Sequence, residues 1–321
     1  MIRNPGASRI PAPGLIHAGA RFAGMTSVFF FLFNTALAAS FSFAALGDAP
    51  YYDHEEQTFV EMLAAIDREP LAFSVHVGDF KSGHSDCSNA LYQQRREWFG
   101  RSAHPFVFVP GDNDWTDCWR TFAGGYDPRE RLQKLREMFF SEPASLGRRR
   151  IALTRQSDLA PDRSYPEHAR WIHEGILFVT LNVPGSFNNA NRDRDEFKAR
   201  DSAVRAWIAE GFRMARAKQL AAVVLIMQAN PWAVTGPQRH VYAPLLESIT
   251  AETLQFGGEV VLIHGDTHRH RVDRPLLDPE TRKPLRNFMR IEVYGSPSVN
   301  WVRVRVEQTD GKVTFDATPG G

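Results

Sequence analysis

Apolar and amphipathic segments alternate along most of this chain, and the alternation predicts an α/β fold. Short continuous apolar runs indicate strands buried on both faces. Apolar residues spaced three and four apart indicate helices that pack by one face. The predicted buried strands span residues 41–46, 71–77, 105–109, 176–183, 220–227 and 260–264. The predicted helices span residues 53–69, 87–100, 128–140, 195–216 and 238–255.

Two regions depart from this alternation. Residues 142–170 are rich in Pro, Arg, Ser and Asp, which predicts a loop region with one short strand at 151–154. Near the C-terminus, residues 290–294, 301–306 and 313–316 alternate polar and apolar, as antiparallel strands with one exposed face do. The whole pattern predicts a single α/β domain with a mixed sheet, or with two sheets packed together.

The N-terminus has the features of an export signal. Three arginines precede an apolar run at residues 28–33, and an Ala-Leu-Ala sequence at 36–38 offers a small-residue cleavage site. The apolar run is too short for a comfortable membrane span. We therefore predict a cleaved signal peptide over 1–38 and a periplasmic or secreted domain over 39–321, with no stable membrane insertion after cleavage. An uncleaved anchor, or a true start at Met25, is the alternative.

The bulk composition excludes several classes of function. The 321 residues are 43% hydrophobic and 23% charged, as in an ordinary globular protein. A formal net charge of +1 leaves no basic excess for a nucleic-acid partner. The chain contains no Walker-type phosphate loop, no Gly-x-Ser-x-Gly elbow and no Cys-x-x-Cys pair.

The two cysteines, Cys87 and Cys118, each lie a few residues past an acidic turn. In an oxidising compartment two such cysteines near one edge of a sheet are expected to form a disulfide. Two unrelated free thiols are the alternative. The disulfide prediction therefore depends on export.

Four acidic turns follow predicted strands, and each contains a Gly-Asp step. They hold Asp48, Asp79, Asp112 with Asn113, and Asp266 with His268. Any one of them is readily explained as an ordinary turn, because Gly and Asp suit turns. The carboxyl ends of neighbouring strands meet at one edge of an α/β sheet. Four carboxylates there would repel one another unless cations lay between them, so the set predicts a metal site.

The order of these turns resembles the calcineurin-like metallophosphoesterases, a family that includes the purple acid phosphatases. Its motifs are Asp-x-His, Gly-Asp, Gly-Asn-His-Asp/Glu, a lone His after a buried strand, and Gly-His-x-His. The resemblance covers roughly residues 41–270. It implies mixed β-sheets packed as a sandwich flanked by helices. It also implies hydrolysis of a small phosphorylated substrate by metal-activated water.

Carried over position by position, the resemblance implies an oxygen-rich set of metal ligands. These are Asp48, Asp79, Asp112, Gln228, Asp266 and His268. Pro50, Gln228 and Asp266 stand where the family has histidines. Because carboxylates and amide oxygens suit harder ions, the expected cofactor is two divalent cations, with Mg or Mn favoured over Zn or Fe.

The chain also departs from the family in its catalytic groups. Asn113 stands at the position of the catalytic His, and asparagine cannot deliver a proton at neutral pH. His264 is the predicted replacement, with His84, His268 and His270 as further candidates. Lys81 is expected either to compensate the negative charge or to place its ammonium in one metal position.

Three residues are predicted to bind substrate: Asn182, Arg269 and His270. A second class of function stays open, namely a catalytically degenerate relative that binds a ligand, or nothing. The lost histidines at positions 50, 113 and 228 favour it, whereas the retained carboxylates favour the enzyme. Measuring the metal content separates the two.

Overall fold

Strands and helices alternate along the described residues, which are 39–159, 164–309 and 311–320 of this computed structural model. The strands are β1 (Ala39–Leu46), β2 (Ser74–His76), β3 (Phe106–Phe108), β4 (Thr154–Arg155), β5 (Ala169–His173), β6 (Ile176–Thr180), β7 (Ala222–Ile226), β8 (Glu259–His264), β9 (Arg271–Asp273), β10 (Phe288–Glu292), β11 (Val302–Thr309) and β12 (Lys312–Pro319). The helices are α1 (Asp53–Ile66), α2 (Asn89–Arg101), α3 (Pro128–Phe139), α4 (Gln156–Leu159), α5 (Gly185–Asn188), α6 (Arg194–Ala217) and α7 (Ala243–Gln255).

The strands form two mixed sheets. The five-stranded sheet has the order β12-β11-β1-β2-β3, and the seven-stranded sheet has the order β4-β5-β6-β7-β8-β10-β9. Strands β1, β2 and β3 are parallel to one another, as are β6, β7, β8 and β10. The carboxyl ends of the parallel strands are level, because Leu46 pairs with His76 and His76 pairs with Phe108. The turns that follow these strands therefore start at one edge of the sheet.

The sheets pack face to face, and helices cover their outer faces. Phe43 of β1 and Phe178 of β6 meet between the sheets with ring centroids 5.5 Å apart. The outer face of the five-stranded sheet packs against α1, α2 and α3, while that of the seven-stranded sheet packs against α6 and α7. The predicted fold class, mixed sheets in a sandwich flanked by helices, is confirmed.

The structure corrects three local predictions. Within the predicted loop region 142–170, Ala169 begins strand β5, which pairs antiparallel with β6. The strand predicted at 290–294 with one exposed face is β10, which is mostly buried and runs parallel to β8. Its partner β9, an edge strand of three residues, has no counterpart in the sequence prediction. Short strands are missed because three to five residues show too little periodicity.

The described residues belong to one compact unit. The predicted signal peptide over 1–38 lies outside them, so the boundary at residue 38 stays a prediction. No helix among the described residues has the length and apolar character needed to cross a membrane.

Candidate functional site

The turns after β1, β2, β3 and β8 bring the four predicted aspartates into one group. Asp48, Asp79 and Asp112 are buried, with 0%, 2% and 8% of their surface exposed, and Asp266 is partly buried. The backbone N–H of Asp266 donates to Asp48 Oδ2 over 3.0 Å, which joins the turns of the two sheets directly. Their role as metal ligands stays a prediction.

Three donors converge on one carboxylate oxygen, Oδ2 of Asp79. The Tyr51 hydroxyl lies 2.9 Å from it, Asn113 Nδ2 lies 2.8 Å from it, and Gln228 Nε2 lies 3.2 Å from it. Asn113 also donates to Tyr51 Oη over 2.9 Å, and its backbone N–H donates to Asp79 Oδ1 over 3.0 Å. The Asp79 carboxylate is therefore held by hydrogen bonds on both oxygens.

The orientation of the Gln228 amide follows from a backbone contact. The N–H of Gly185 donates to Gln228 Oε1 over 2.5 Å, so the NH₂ of the amide must face Asp79. Gln228 therefore presents a hydrogen-bond donor to the site. This geometry departs from the predicted role of Gln228 as a metal ligand, which requires the amide oxygen.

The group also contains carboxylate oxygens on which no set of donors converges as it does on Asp79 Oδ2. Asp48 Oδ1 is buried and has no hydrogen-bond partner among the described residues. A Cβ built on Gly185 would lie 2.8 Å from Asp112 Oδ1 and 2.9 Å from Asp266 Oδ1. A larger residue at position 185 would therefore displace these two oxygens.

The turn after β6 contributes Ser186 to the site. Ser186 Oγ donates to Asp112 Oδ2 over 2.7 Å and lies 3.0 Å from Asp117 Oδ2. Residues 186–189 all have positive φ, between 44° and 61°, and this left-handed turn directs Ser186 at the carboxylates. Asp117 also pairs with Arg120 at 2.7 Å. The Gly-Ser-Phe-Asn-Asn sequence at 185–189 was the available signal, since Gly and Asn tolerate this conformation.

Burial and mutual repulsion shape the electrostatics of the group. Burial, and then the neighbouring carboxylates, raise the pKa values of Asp48 and Asp79 well above the ordinary range. The same causes raise the pKa of Asp266 to about 7 and that of Asp117 to about 7. Among the described residues the only basic side chain within 4 Å of these carboxylates is Arg120, on Asp117. The negative charge of the group is therefore largely uncompensated.

Asp114 has a structural role beside the site. Its carboxylate accepts the backbone N–H groups of Asp79, Phe80 and Gly111, at 2.8, 3.0 and 2.8 Å. These bonds tie the turn after β2 to the turn after β3. Asp114 therefore fixes the backbone that carries Asp79.

Lys81 and His264, both predicted to act in catalysis, point elsewhere. The buried Lys81 ammonium donates to the carbonyl oxygens of Ser82 and Ser85, each over 3.0 Å, so it does not lie between the carboxylates. The His264 ring is fully buried, its Nδ1 faces the Gly265 carbonyl at 2.8 Å, and burial lowers its pKa to about 3. A neutral, buried imidazole is not a proton donor for a leaving group.

The predicted substrate-binding residues lie at varying depths. Asn182 is fully buried and donates to Glu167 Oε1 over 3.0 Å, which leaves it no surface for a substrate. Arg269 is exposed and forms no ion pair with the aspartates in the described part of the chain. His270 Nδ1 faces the Glu292 carbonyl at 2.8 Å, so this ring is held by the sheet.

His268 does reach the site. Its Nδ1 lies 2.7 Å from the Ser296 carbonyl oxygen, and its Nε2 lies 3.2 Å from Tyr51 Oη. Tyr51 thus contacts three predicted site residues, Asp79, Asn113 and His268. Sequence reasoning missed Tyr51, although it lies three residues after Asp48, next to the Pro50 that replaces a family histidine.

Cys87 and Cys118 form a disulfide, as predicted, with Cα atoms 5.8 Å apart. Both cysteines are fully buried. The bond joins the segment after β2 to the segment after β3, and both sulfur atoms lie 3.9 Å from the Asn113 carbonyl oxygen. The disulfide therefore restrains the backbone segments that follow β2 and β3.

The fit of the site to divalent cations is partial. The chemistry of the ligands fits, because several carboxylates lie together with little positive charge beside them. One buried oxygen, Asp48 Oδ1, also has no hydrogen-bond partner among the described residues. However, no three His, Cys, Asp or Glu side chains within the described ranges already surround a common point as ligands. Cation binding would therefore require some of these side chains to rotate.

Two solved structures share this architecture at very low sequence identity. The structure of PhoD matches with a TM-score of 0.53 and 11% identity, over 87% of this chain and 68% of that chain. Purple acid phosphatase PPD1 from yellow lupin (Lupinus luteus) seeds matches with a TM-score of 0.51 and 10% identity. That match covers 88% of this chain but 52% of the lupin chain, so this chain spans about half the length of that protein.

No protein-family model matches the chain, and no curated protein is significantly similar to it. At identities this low, similarity establishes a common architecture alone. The chain therefore has a fold that it shares with PhoD and with a purple acid phosphatase.

Proposed function

We propose that this chain is a metal-dependent phosphoesterase, a divergent calcineurin-like metallophosphoesterase that is exported and hydrolyses a small phosphorylated substrate. The observation that carries the proposal is the group formed by Asp48, Asp79, Asp112 and Asp266. Four strand ends bring these carboxylates together and bury most of them. Buried carboxylates without positive partners are costly, and divalent cations compensate them directly.

The carboxylates of Asp48, Asp112 and Asp266 would hold divalent cations, with Asp79 beside them. When bound, such cations lower the pKa of a water molecule and neutralise phosphate oxygens. The protein's own residues orient the groups of the site. Asn113, which stands where the family has a histidine, orients Asp79 through its amide NH₂ and its backbone N–H.

Arg120, rather than Lys81, is the basic group available to the substrate. Its side chain is 31% exposed and pairs with Asp117. A Cβ built on Gly83 would lie 2.7 Å from Arg120 Nη1 and 2.8 Å from Asn113 Oδ1, so the guanidinium and the amide border the same space. The guanidinium suits phosphate oxygens, which accept hydrogen bonds from planar donors, whereas the Asn113 oxygen that borders this space is itself an acceptor.

A degenerate binding protein is the second candidate, and one observation favours it. The three donors on Asp79 Oδ2 satisfy that carboxylate without any cation. A protein that had lost its cations would be expected to fill the space with such donors. The two candidates differ in metal content and in turnover.

The test uses the purified full chain, loaded with Mg²⁺ or Mn²⁺ and assayed on an aryl phosphate monoester and diester. Asp79→Asn is expected to lower turnover by at least about 10²-fold, because it removes charge that the transition state and the cations need. Asp316→Asn is the matched control, since Asp316 is exposed on β12. Circular dichroism verifies that both variants fold.

Full turnover in Asp79→Asn would refute the proposed role of the site. A parent protein that binds neither ion and hydrolyses neither ester would favour the binding protein instead. Metal content is measured on the same samples by elemental analysis, so that the two results refer to one preparation.

A further inference from the structure

The site has two halves with opposite hydrogen-bonding character. The donor half surrounds Asp79 Oδ2 and consists of Tyr51, Asn113 and Gln228. The acceptor half consists of the carboxylates of Asp48, Asp112 and Asp266. The halves meet at Gly185, whose N–H holds Gln228 and whose Cα faces Asp112 and Asp266.

The donor half is fixed by contacts that orient each group. The Gly185 N–H holds Gln228 Oε1, so the NH₂ faces Asp79. Asn113 Nδ2 lies within 2.9 Å of both Asp79 Oδ2 and Tyr51 Oη, and both are acceptors for an amide NH₂. Turning the Gln228 amide to offer its oxygen would leave the Gly185 N–H without an acceptor in a buried position, which is costly.

A divalent cation at Asp79 Oδ2 would face two amide NH₂ groups and a phenol hydroxyl. These groups carry partial positive charge towards the carboxylate, so they repel a cation and occupy the lone pairs that it would use. These three donors offset the negative charge of the Asp79 carboxylate, as a bound cation would. The donor half therefore does not fit a metal ion.

In the acceptor half each carboxylate accepts a hydrogen bond on its Oδ2, from the Asp266 N–H, Ser186 Oγ and the Asn230 N–H respectively, and the Oδ1 atoms are the candidates for a cation. Asp48 is fully buried, and its Oδ1 has no hydrogen-bond partner in the described structure. Asp112 Oδ1 and Asp266 Oδ1 both lie close to Gly185. Oxygen ligands of this type suit hard cations such as Mg²⁺ and Mn²⁺.

We propose that this site, after rotation of its carboxylates, binds one hard divalent cation in the acceptor half, and that Tyr51, Asn113 and Gln228 take the place of a second cation at Asp79. Tyr51 is a positioning residue in this scheme. Its hydroxyl contacts Asp79 at 2.9 Å and His268 at 3.2 Å, and so links the turn after β2 to the turn after β8. The inference rests on the proposed function, and it departs from the two cations that the sequence implied.

The test measures the stoichiometry of Mn²⁺ binding to the full chain, by equilibrium dialysis and by electron paramagnetic resonance. The expected result is one equivalent with the spectrum of an isolated ion. Asp48→Asn is expected to weaken Mn²⁺ binding at least about tenfold. Tyr51→Phe is expected to keep one equivalent, because the phenol is not a ligand. Asp316→Asn serves again as the control.

A gain-of-function variant keeps the inference falsifiable if Asp48→Asn fails to fold. Gln228→Glu retains an oxygen for the Gly185 N–H and replaces the amide donor with a carboxylate oxygen. Combined with Tyr51→Phe and Asn113→Ala, which remove the other two donors on Asp79 Oδ2, it is expected to raise the stoichiometry from one equivalent to two. A triple variant that remains at one equivalent would show that these donors do not exclude the second ion, and would overturn the scheme.

The outcomes for the parent protein separate this inference from the proposed function. Two equivalents with a spin-coupled spectrum and ester hydrolysis would refute the single-cation site and leave the phosphoesterase intact. No bound Mn²⁺ and no hydrolysis would refute both. One equivalent in the parent, lost in Asp48→Asn, would support the inference whether or not the esters tried are substrates.

Discussion

At the scale of single residues, the site is built on unusual backbone geometry. Asp48, Asp79 and Asp266 have positive φ values of 50°, 59° and 80°. Left-handed backbone is uncommon outside glycine, although Asp adopts it more readily than most residues. In each case a glycine precedes the aspartate in the turn. Such strain is typical of functional sites whose surroundings hold it in place.

Three fully buried histidines show how burial alone sets protonation. The pKa values of His76 and His264 are lowered to about 3, and that of His168 to about 4, in each case mainly because burial disfavours the charged ring. These residues stay neutral at neutral pH. They belong to the hydrophobic interior rather than to proton transfer.

Because His168 is buried, we expect the stability of the folded protein to fall in acid. Its pKa is lower in the folded state, about 4, than in the unfolded chain, about 6.5, so the unfolded state binds the proton first. The stability that it contributes is complete above pH 6.5 and is lost as the pH falls through 4, by up to about 3 kcal/mol. His168→Gln should remove this dependence, so the difference in unfolding free energy between parent and variant should shrink from pH 7.5 to pH 4.5.

Urea unfolding at the two pH values measures that difference. His54→Gln is the control, because His54 is exposed. A difference between the parent and His168→Gln that is independent of pH would contradict the assignment.

At the scale of elements, the segments after β2 and β3 have little regular structure of their own. The second carries two short 3₁₀ helices, Thr116–Trp119 and Thr121–Ala123. The disulfide between Cys87 and Cys118 ties the two segments together. Asp117 and Arg120 lie within the 3₁₀ region, so the covalent link also limits their movement.

Replacing both cysteines by serine is expected to lower the free energy of unfolding by about 3 kcal/mol. The physical reason is that an open loop of this length gives the unfolded chain more conformations, since the cysteines are 31 residues apart. Guanidinium unfolding of the variant and of the parent measures the change, and the parent treated with a reductant should approach the variant. Equal stability of the parent and the variant would contradict the structural role of the bond.

At the scale of the whole molecule, the site depends on the packing of one sheet on the other. Asp48, Asp79 and Asp112 follow strands of the five-stranded sheet, whereas Gln228 and Asp266 follow strands of the seven-stranded sheet. The apolar layer between the sheets fixes their separation and therefore the distances across the site. Phe43, Phe73 and Phe178 form the aromatic centre of that layer.

Phe178→Ala is expected to lower the free energy of unfolding by about 3–5 kcal/mol, because it leaves a cavity between two rigid sheets. Ile172→Ala on the neighbouring strand β5 is the comparison, since Ile172 is 44% exposed and its truncation leaves no cavity. Urea unfolding measures both. Similar losses in the two variants would mean that the layer between the sheets is not tightly packed.

The order of apolar and amphipathic segments was enough to predict the fold class and most elements, because each buried face repeats with the period of its own backbone. The Gly-Asp turns predicted which aspartates would meet, because parallel strands end at a common edge. The cysteines, placed after two adjacent turns, predicted their own pairing. The sandwich of two sheets was implied by the family resemblance, and the disulfide also depended on the predicted export.

Only the tertiary structure determined which side chains of the site contact one another. It placed Tyr51 against Asp79 and Ser186 against Asp112, turned the Gln228 amide so that its NH₂ faces the carboxylate, and directed Lys81 and His264 away. Gln228 and Asp79 are 149 positions apart in the chain. The orientation of such a hydrogen bond depends on how the two sheets pack and on which backbone N–H groups lie nearby, and no local periodicity encodes that.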